Sequence, residues 1–187
     1  MRIVLRCGDV LAESGDLFLV ATHSTVPDKE GPGTALGNVG QLALRRYGDE
    51  FESVVGQVDP FPLGQAWLEP AEDVELPWRW VGLLGTLHVT TTEDASARAE
   101  GWLLASLDAA LREASQRGLT TVVSPLQRGG WRMNWRTALG LMVQAADGVH
   151  DAGMTLVLME RSPERFREMA ELATAYALEV ESDGREA

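Results

Sequence analysis

Two stretches of this sequence combine glycines with residues suited to holding an anion. The first is Gly31-Pro32-Gly33-Thr34-Ala35 and the second is Gln127-Arg128-Gly129-Gly130-Trp131. Each follows an apolar, strand-like run and precedes a helical pattern. A glycine there lets the backbone approach a ligand closely, and the free N–H groups and dipole of the helix start favour a phosphate. Two such loops suit two linked phosphates. Arg128, Arg132 and Arg136 cluster in and after the second loop, and a guanidinium offers phosphate oxygens a planar fork of donors. Trp131 and Trp135 lie between them and can stack on a base or ribose, or, for Trp135, anchor a helix start in the core. No Gly-Lys-Ser/Thr follows either set of glycines, which disfavours hydrolysis of nucleoside triphosphates.

Two further residues are candidates for catalysis. His23 titrates near neutral pH when unperturbed and suits a general base or a ribose hydrogen bond, or simply a structural one. Lys29 is the only lysine and lies just before the first glycine loop; it is a candidate nucleophile or phosphate partner, set against a solvated turn in Asp28-Lys29-Glu30. His88 and His150 are assigned no chemistry. With Cys7 as the only cysteine, and no histidine–carboxylate cluster at ligand spacing, neither a disulfide nor a metal site is expected, and no cofactor is called for.

The elements that must position these residues alternate. Ile3-Val4-Leu5 and Leu17-Phe18-Leu19-Val20 read as buried strands. Leu36, Val39 and Ala43 place a helix over 34–47, weakened by Gly37 and Gly40. Prolines interrupt 57–77 except for a strand at 65–68, and two strands are expected at 80–84 and 87–89. Leu103, Leu107, Ala110, Leu111 and Ala114 mark one face of a helix stopped by Gly118. A strand at 120–123 and a helix over 134–152, ended by Gly153, come next. Met154–Met159 is the last strong strand, before a helix capped by Ser162, opened by Pro163 and carried to Tyr176. This order predicts an α/β fold, a three-layer α/β/α sandwich with a mixed, mostly parallel central sheet, whose ligand sits outside the carboxyl ends of the strands.

At 187 residues and 45% hydrophobic content the chain supports one domain, expected over 1–180, with an acidic tail over 181–187 that frays. A net charge of -12 opposes direct binding of polyanionic nucleic acid. No segment is long and apolar enough for a signal peptide or a membrane span, so a cytoplasmic location is expected.

The order of signals resembles the macro domain. Gly8-Asp9-Val10 follows the first strand, Val20-Ala21-Thr22-His23-Ser24 ends the second, and both glycine loops follow in place; the resemblance spans nearly the whole chain. It is nearest to the terminal ADP-ribose protein glycohydrolases and their bacterial antitoxin relatives. The resemblance implies ADP-ribose, or a macromolecule carrying it, as partner. Asp9 would then accept from the adenine amine beside the Val10 backbone. Gly31, Gly33, Thr34 and Ala35 would contact one phosphate and the distal ribose side. Gln127, Arg128, Gly129, Gly130 and Trp131 would enclose the diphosphate, and His23 would fall where many macro domains place a ribose-positioning asparagine.

The sequence departs from the hydrolytic members of that family. Val20-Ala21-Thr22-His23 replaces a paired-asparagine motif, Val39 stands where the glycohydrolase branch has its lysine nucleophile, and Trp131 or Arg132 replaces a carboxylate. Three functions remain open at this point: a nucleotide-diphosphate binding module, an ADP-ribosyl hydrolase using bound water, and a protein-interaction scaffold with a vestigial cleft.

Overall fold

Alternating apolar positions decide the architecture, because successive side chains of a strand point to opposite faces of its sheet. In the computed structural model, which describes residues 1–23, 36–56, 62–87, 93–128 and 133–181 (backbone only at 23, 87 and 93–97), the strands are β1 (Arg2–Cys7), β2 (Gly15–His23), β3 (Ala66–Pro70), β4 (Trp78–Leu87), β5 (Thr121–Pro125), β6 (Thr155–Glu160) and β7 (Glu179–Glu181). They form one sheet in the order β3-β4-β2-β5-β6-β1-β7. Among the described strands β3 runs antiparallel to its neighbour, and the other strand pairs are parallel. The helices are α1 (Asn38–Tyr47), α2 (Asp49–Val55), α3 (Glu93–Gln116), α4 (Trp135–Asp147) and α5 (Pro163–Glu171).

Each face of the sheet has its own core. Ile3, Leu5, Leu17, Leu19, Val122, Leu156 and Leu158 meet α3, α4 and Met169 of α5. Their alternates Phe18, Val20, Val123, Val157 and Met159 meet α1 and α2. The result is the expected three-layer α/β/α sandwich. On the second face Trp78 is 1% exposed and stacks on Phe18 with ring centroids 4.0 Å apart, while Tyr47 meets it edge-on at 5.5 Å. On the first face Gly82 leaves room in the sheet, since a Cβ there would lie 2.6 Å from Leu19 Cδ2. Gly118 stops α3 at φ +71, a left-handed conformation that glycine adopts without strain.

Several elements differ from expectation for identifiable reasons. Helix α1 starts at Asn38, not in the 34–37 stretch: Leu36 forms an antiparallel bridge to Thr22 and Gly37 N–H donates to the Ala21 carbonyl at 2.8 Å. The apolar spacing of Leu36 reflects burial, since it packs over Gly40 in the first turn. The two strands expected at 80–84 and 87–89 are the single strand β4 as far as Leu87, because Gly85 keeps its pairing, bonding Gly64 and Gln65 across the β3 side. Residues 88 and 89 lie outside the described ones.

Helix α4 ends at Gly148, well before Gly153; Asp151 then turns the chain, accepting from Gly153 N–H at 3.0 Å and from Ser115 Oγ at 2.7 Å. Helix α5 stops at Leu172, although Ala173 stays buried beyond it. Helix α2, which lacks a long periodic pattern, was not expected. Glu181, where the acidic tail is expected to begin, still lies in a strand. Strand β7 pairs with Val4–Arg6 of β1, and its carboxylates meet arginines: Glu179 lies 3.2 Å from Arg2, and Glu181 lies 2.7 Å from Arg6. Residues 182–187 lie outside the described ones.

At the amino ends of the strands, Asp16 ties β2 to β5. Its Oδ2 accepts from Thr120 N–H at 2.8 Å, Thr120 Oγ1 at 2.9 Å and Thr121 N–H at 3.0 Å. Burial raises its pKa, but these hydrogen bonds, with the charge of Arg79, outweigh it and hold the carboxyl below its usual value. A depressed folded-state pKa gives stability that is fully present above the unfolded value, near 3.8, and is lost as pH falls through the folded one. Asp16→Asn is therefore expected to lower the urea midpoint at pH 7, with the gap to wild type narrowing as pH drops below about 4. A gap of constant size across that range would contradict the assignment.

Candidate functional site

Parallel pairing sets the site. Cys7 of β1 is in register with Glu160 of β6, and Gly8 N–H donates to the Glu160 carbonyl at 3.0 Å, so Asp9 and Arg161 leave neighbouring strand ends side by side. Pro125 of β5 is in register with Met159 on the other side of β6. A cleft of about 180 Å³ opens at these carboxyl ends. Its floor and walls are largely apolar, with Val10 and Leu11 from the first loop, Val39 and Leu42 from α1, Met159 from β6 and Leu126 just after β5. Asp9, Arg128, Glu160, Arg161 and Arg165 supply its charge.

Asp9 caps the short 3-10 helix Val10–Ala12, its Oδ1 accepting from Leu11 N–H at 3.1 Å. Its Oδ2 accepts from Arg46 Nη1 at 2.7 Å. Val10 is buried within that helix. Tyr47 locks the same turn to α1 by donating its hydroxyl to the Leu11 carbonyl, and burial pushes its phenol pKa up. Across the cleft Glu160 is nearly enclosed; it accepts from Ser162 N–H at 2.8 Å and pairs with Arg165 at 3.4 Å, which fixes the start of α5.

The second glycine loop is anchored at both ends. Gln127 is 3% exposed, and its Nε2 donates to the Leu19 carbonyl at 3.0 Å and to Ser124 Oγ at 3.2 Å. Its side chain is therefore turned into the core and positions the loop. Arg128 lines the cleft, but its Nε and Nη2 both donate to the Met133 carbonyl, at 2.9 and 2.7 Å, so it clasps the ends of the 129–132 segment. Asn134 caps α4 by accepting from Arg136 N–H, and Arg136 stacks 4.2 Å above Trp135. Trp135 packs on the core, so Arg136 is drawn onto the helix and does not line the cleft with Arg128.

The structure thus brings Asp9, Val10 and Arg128 to one cleft and sends the Gln127 side chain elsewhere. His23 ends β2 in register with Leu87; only its backbone is described. Lys29, Gly31, Gly33, Thr34 and Ala35 lie outside the described residues, as do Gly129, Gly130, Trp131 and Arg132. Sequence reasoning missed Leu42, Glu160, Arg161 and Arg165. The signal for the last three was available: Glu160 and Arg161 sit at the carboxyl end of the last strong strand and Arg165 lies in the first turn of the helix after it, where a sheet of this kind must border its ligand. Among the described residues no group of three or more His, Cys, Asp or Glu is arranged to hold a metal ion, and no helix is long and apolar enough to cross a membrane.

This sheet order, its two helical layers and a cleft at the strand ends define the macro-domain fold. The chain superposes on the macro domain of ganglioside induced differentiation associated protein 2 (GDAP2) with a TM-score of 0.71 and 15% identity, over 94% of this chain and 84% of that one. It matches a variant of the Oceanobacillus iheyensis macrodomain, solved with ADP-ribose, at 0.60 and 14%, over 92% of each chain. The macrodomain of Mycobacterium tuberculosis DarG matches at 0.58 and 16%, over 86% of this chain and 98% of that one. No family model and no curated protein matches the sequence.

The Gln127 anchor is open to test. Gln127→Met keeps the side-chain length and leaves the Leu19 carbonyl without its buried donor, which costs about 1–3 kcal/mol. Urea unfolding is expected to show that loss; an unchanged midpoint would mean that the anchor holds nothing.

Proposed function

We propose that this chain is a binding module for ADP-ribose or a related nucleotide diphosphate. The observation that carries the reading is the cleft itself: at the carboxyl ends of β1, β5 and β6, aliphatic walls meet a half-exposed acceptor carboxylate, Asp9, and a rim of arginines. The Oceanobacillus iheyensis macrodomain, which shares the fold, has been solved with ADP-ribose and with ADP. In this reading the base lies against Asp9 and Val10, and the diphosphate lies between Gly31, Gly33, Thr34 and Ala35 on one side and Gly129, Gly130 and Trp131 on the other. The partner is the free nucleotide or a macromolecule that carries ADP-ribose, taken up by a single domain over 1–180 in the cytoplasm.

Binding ranks ahead of hydrolysis because α1 brings Val39 to the cleft. An aliphatic side chain at that place provides neither nucleophile nor proton acceptor, so an ADP-ribosyl hydrolase built on this chain would depend on water positioned by His23 or Lys29.

Calorimetric titration with ADP-ribose, against AMP and ADP as controls, tests the reading. Saturable binding of ADP-ribose, tighter than AMP, is expected. Asp9→Ala is expected to weaken it about ten-fold, as for loss of a charged hydrogen bond, and Gly130→Glu to abolish it by bulk and charge. No binding at millimolar ligand, or unchanged affinity in both variants, would reject the proposal. Release of ADP-ribose from a modified protein, abolished by His23→Ala or Lys29→Ala, would move hydrolysis to first place.

A further inference from the structure

Helix α1 presents Val39, Leu42 and Arg46 on one stripe, at i, i+3 and i+7. The first two line the cleft, and the third reaches the carboxylate at its mouth. Asp9 and Arg46 are about half exposed there, at 50% and 44%, so the pair is open to a ligand. The guanidinium also lies over the ring of Tyr47, 5.5 Å from its centroid, and Tyr47 is itself fixed to Leu11. The ion pair uses one N–H of five and one lone pair of Oδ2, which leaves an acceptor and a cationic donor side by side at the cleft edge.

A carboxylate alone is an acceptor only, so it takes the exocyclic amine of adenine and repels a carbonyl oxygen in the same place. With a guanidinium beside it the edge reads differently. A 6-oxopurine gives its N1–H to Asp9 and receives a donor from Arg46 at O6, the purine atom that arginine recognises so often in nucleic acids. Adenine is still satisfied, through its amine on Asp9 and a ring nitrogen on Arg46. From this geometry we infer that Arg46 is a specificity-determining residue and that the cleft takes 6-oxopurine nucleoside diphosphates as readily as adenine ones, a reading that rests on the nucleotide function proposed above.

ADP and inosine 5′-diphosphate differ only at the 6-position and its neighbouring ring nitrogen, so they isolate this contact. The experiment titrates both into wild type, Arg46→Met and, as a control on the same helix, Arg45→Met, with thermal melts to confirm folding. Wild type is expected to bind the two within about ten-fold of each other, and Arg46→Met to lose inosine diphosphate at least roughly five-fold relative to ADP, as for loss of one base-reading arginine. Arg45→Met should leave the ratio alone. A wild-type preference for ADP beyond ten-fold, a ratio that moves less than five-fold in Arg46→Met, or an equal shift in Arg45→Met overturns the role of Arg46 while the nucleotide cleft stands. Binding of neither diphosphate by wild type overturns the cleft reading together with it.

Discussion

The cleft depends on the parallel pairing of β6 with β1 on one side and with β5 on the other. Parallel strands bring their carboxyl ends to one edge of the sheet, so residues that follow three distant parts of the chain arrive together. Asp9, Arg128 and Arg161 are separated by more than a hundred positions between first and last, yet they border one space. Burial on both faces enforces the register, since a shift of one residue would exchange the two cores. The chemistry at the edge therefore inherits its geometry from apolar side chains that never touch a ligand.

Charge is distributed against the average of the chain. The molecule carries a net charge of -12, but three of the five charged residues lining the cleft are arginines. Arg165 is spent on Glu160, and Arg128 on the Met133 carbonyl. Their first effect is to hold the loop after β5 and the start of α5, and any attraction for an anion comes through that scaffold. The same economy holds for Asp9, which caps a helical turn while facing the cleft.

Much of the fold was legible because long periodic segments bury one face. Leu103, Leu107, Ala110, Leu111 and Ala114 are all inaccessible, as their spacing implies. The errors fall where local pattern and tertiary pairing compete. Leu36 has helical spacing but is held extended by Thr22, and Gly85 resembles a break but remains in the sheet. Of the residues singled out in the sequence, Asp9, Val10 and Arg128 share one cleft in the structure. What composition could not reveal is which polar side chains are already committed: Gln127 and Arg136 look like ligand contacts in sequence, yet one serves the core and the other a tryptophan face. Arg46 drew no notice because its partner is 37 positions away.

The placement of β1 has a consequence for the order in which the chain can fold. Residues 2–7 of this strand pair with residues 155–160 of β6, and residues 4–6 pair with 179–181 of β7, so the apolar run Ile3-Val4-Leu5 has no sheet neighbour until that intervening stretch is available. Contacts between such distant segments are slow to form because the loop between them must close first. During synthesis β2, β4 and β5 can assemble ahead, under α3, while β1 waits with an exposed edge of the kind that invites wrong pairing. The strand that leads into Asp9 thus gains its neighbours only through this long-range pairing, and the edge of the cleft at Asp9 and Glu160 forms together with it.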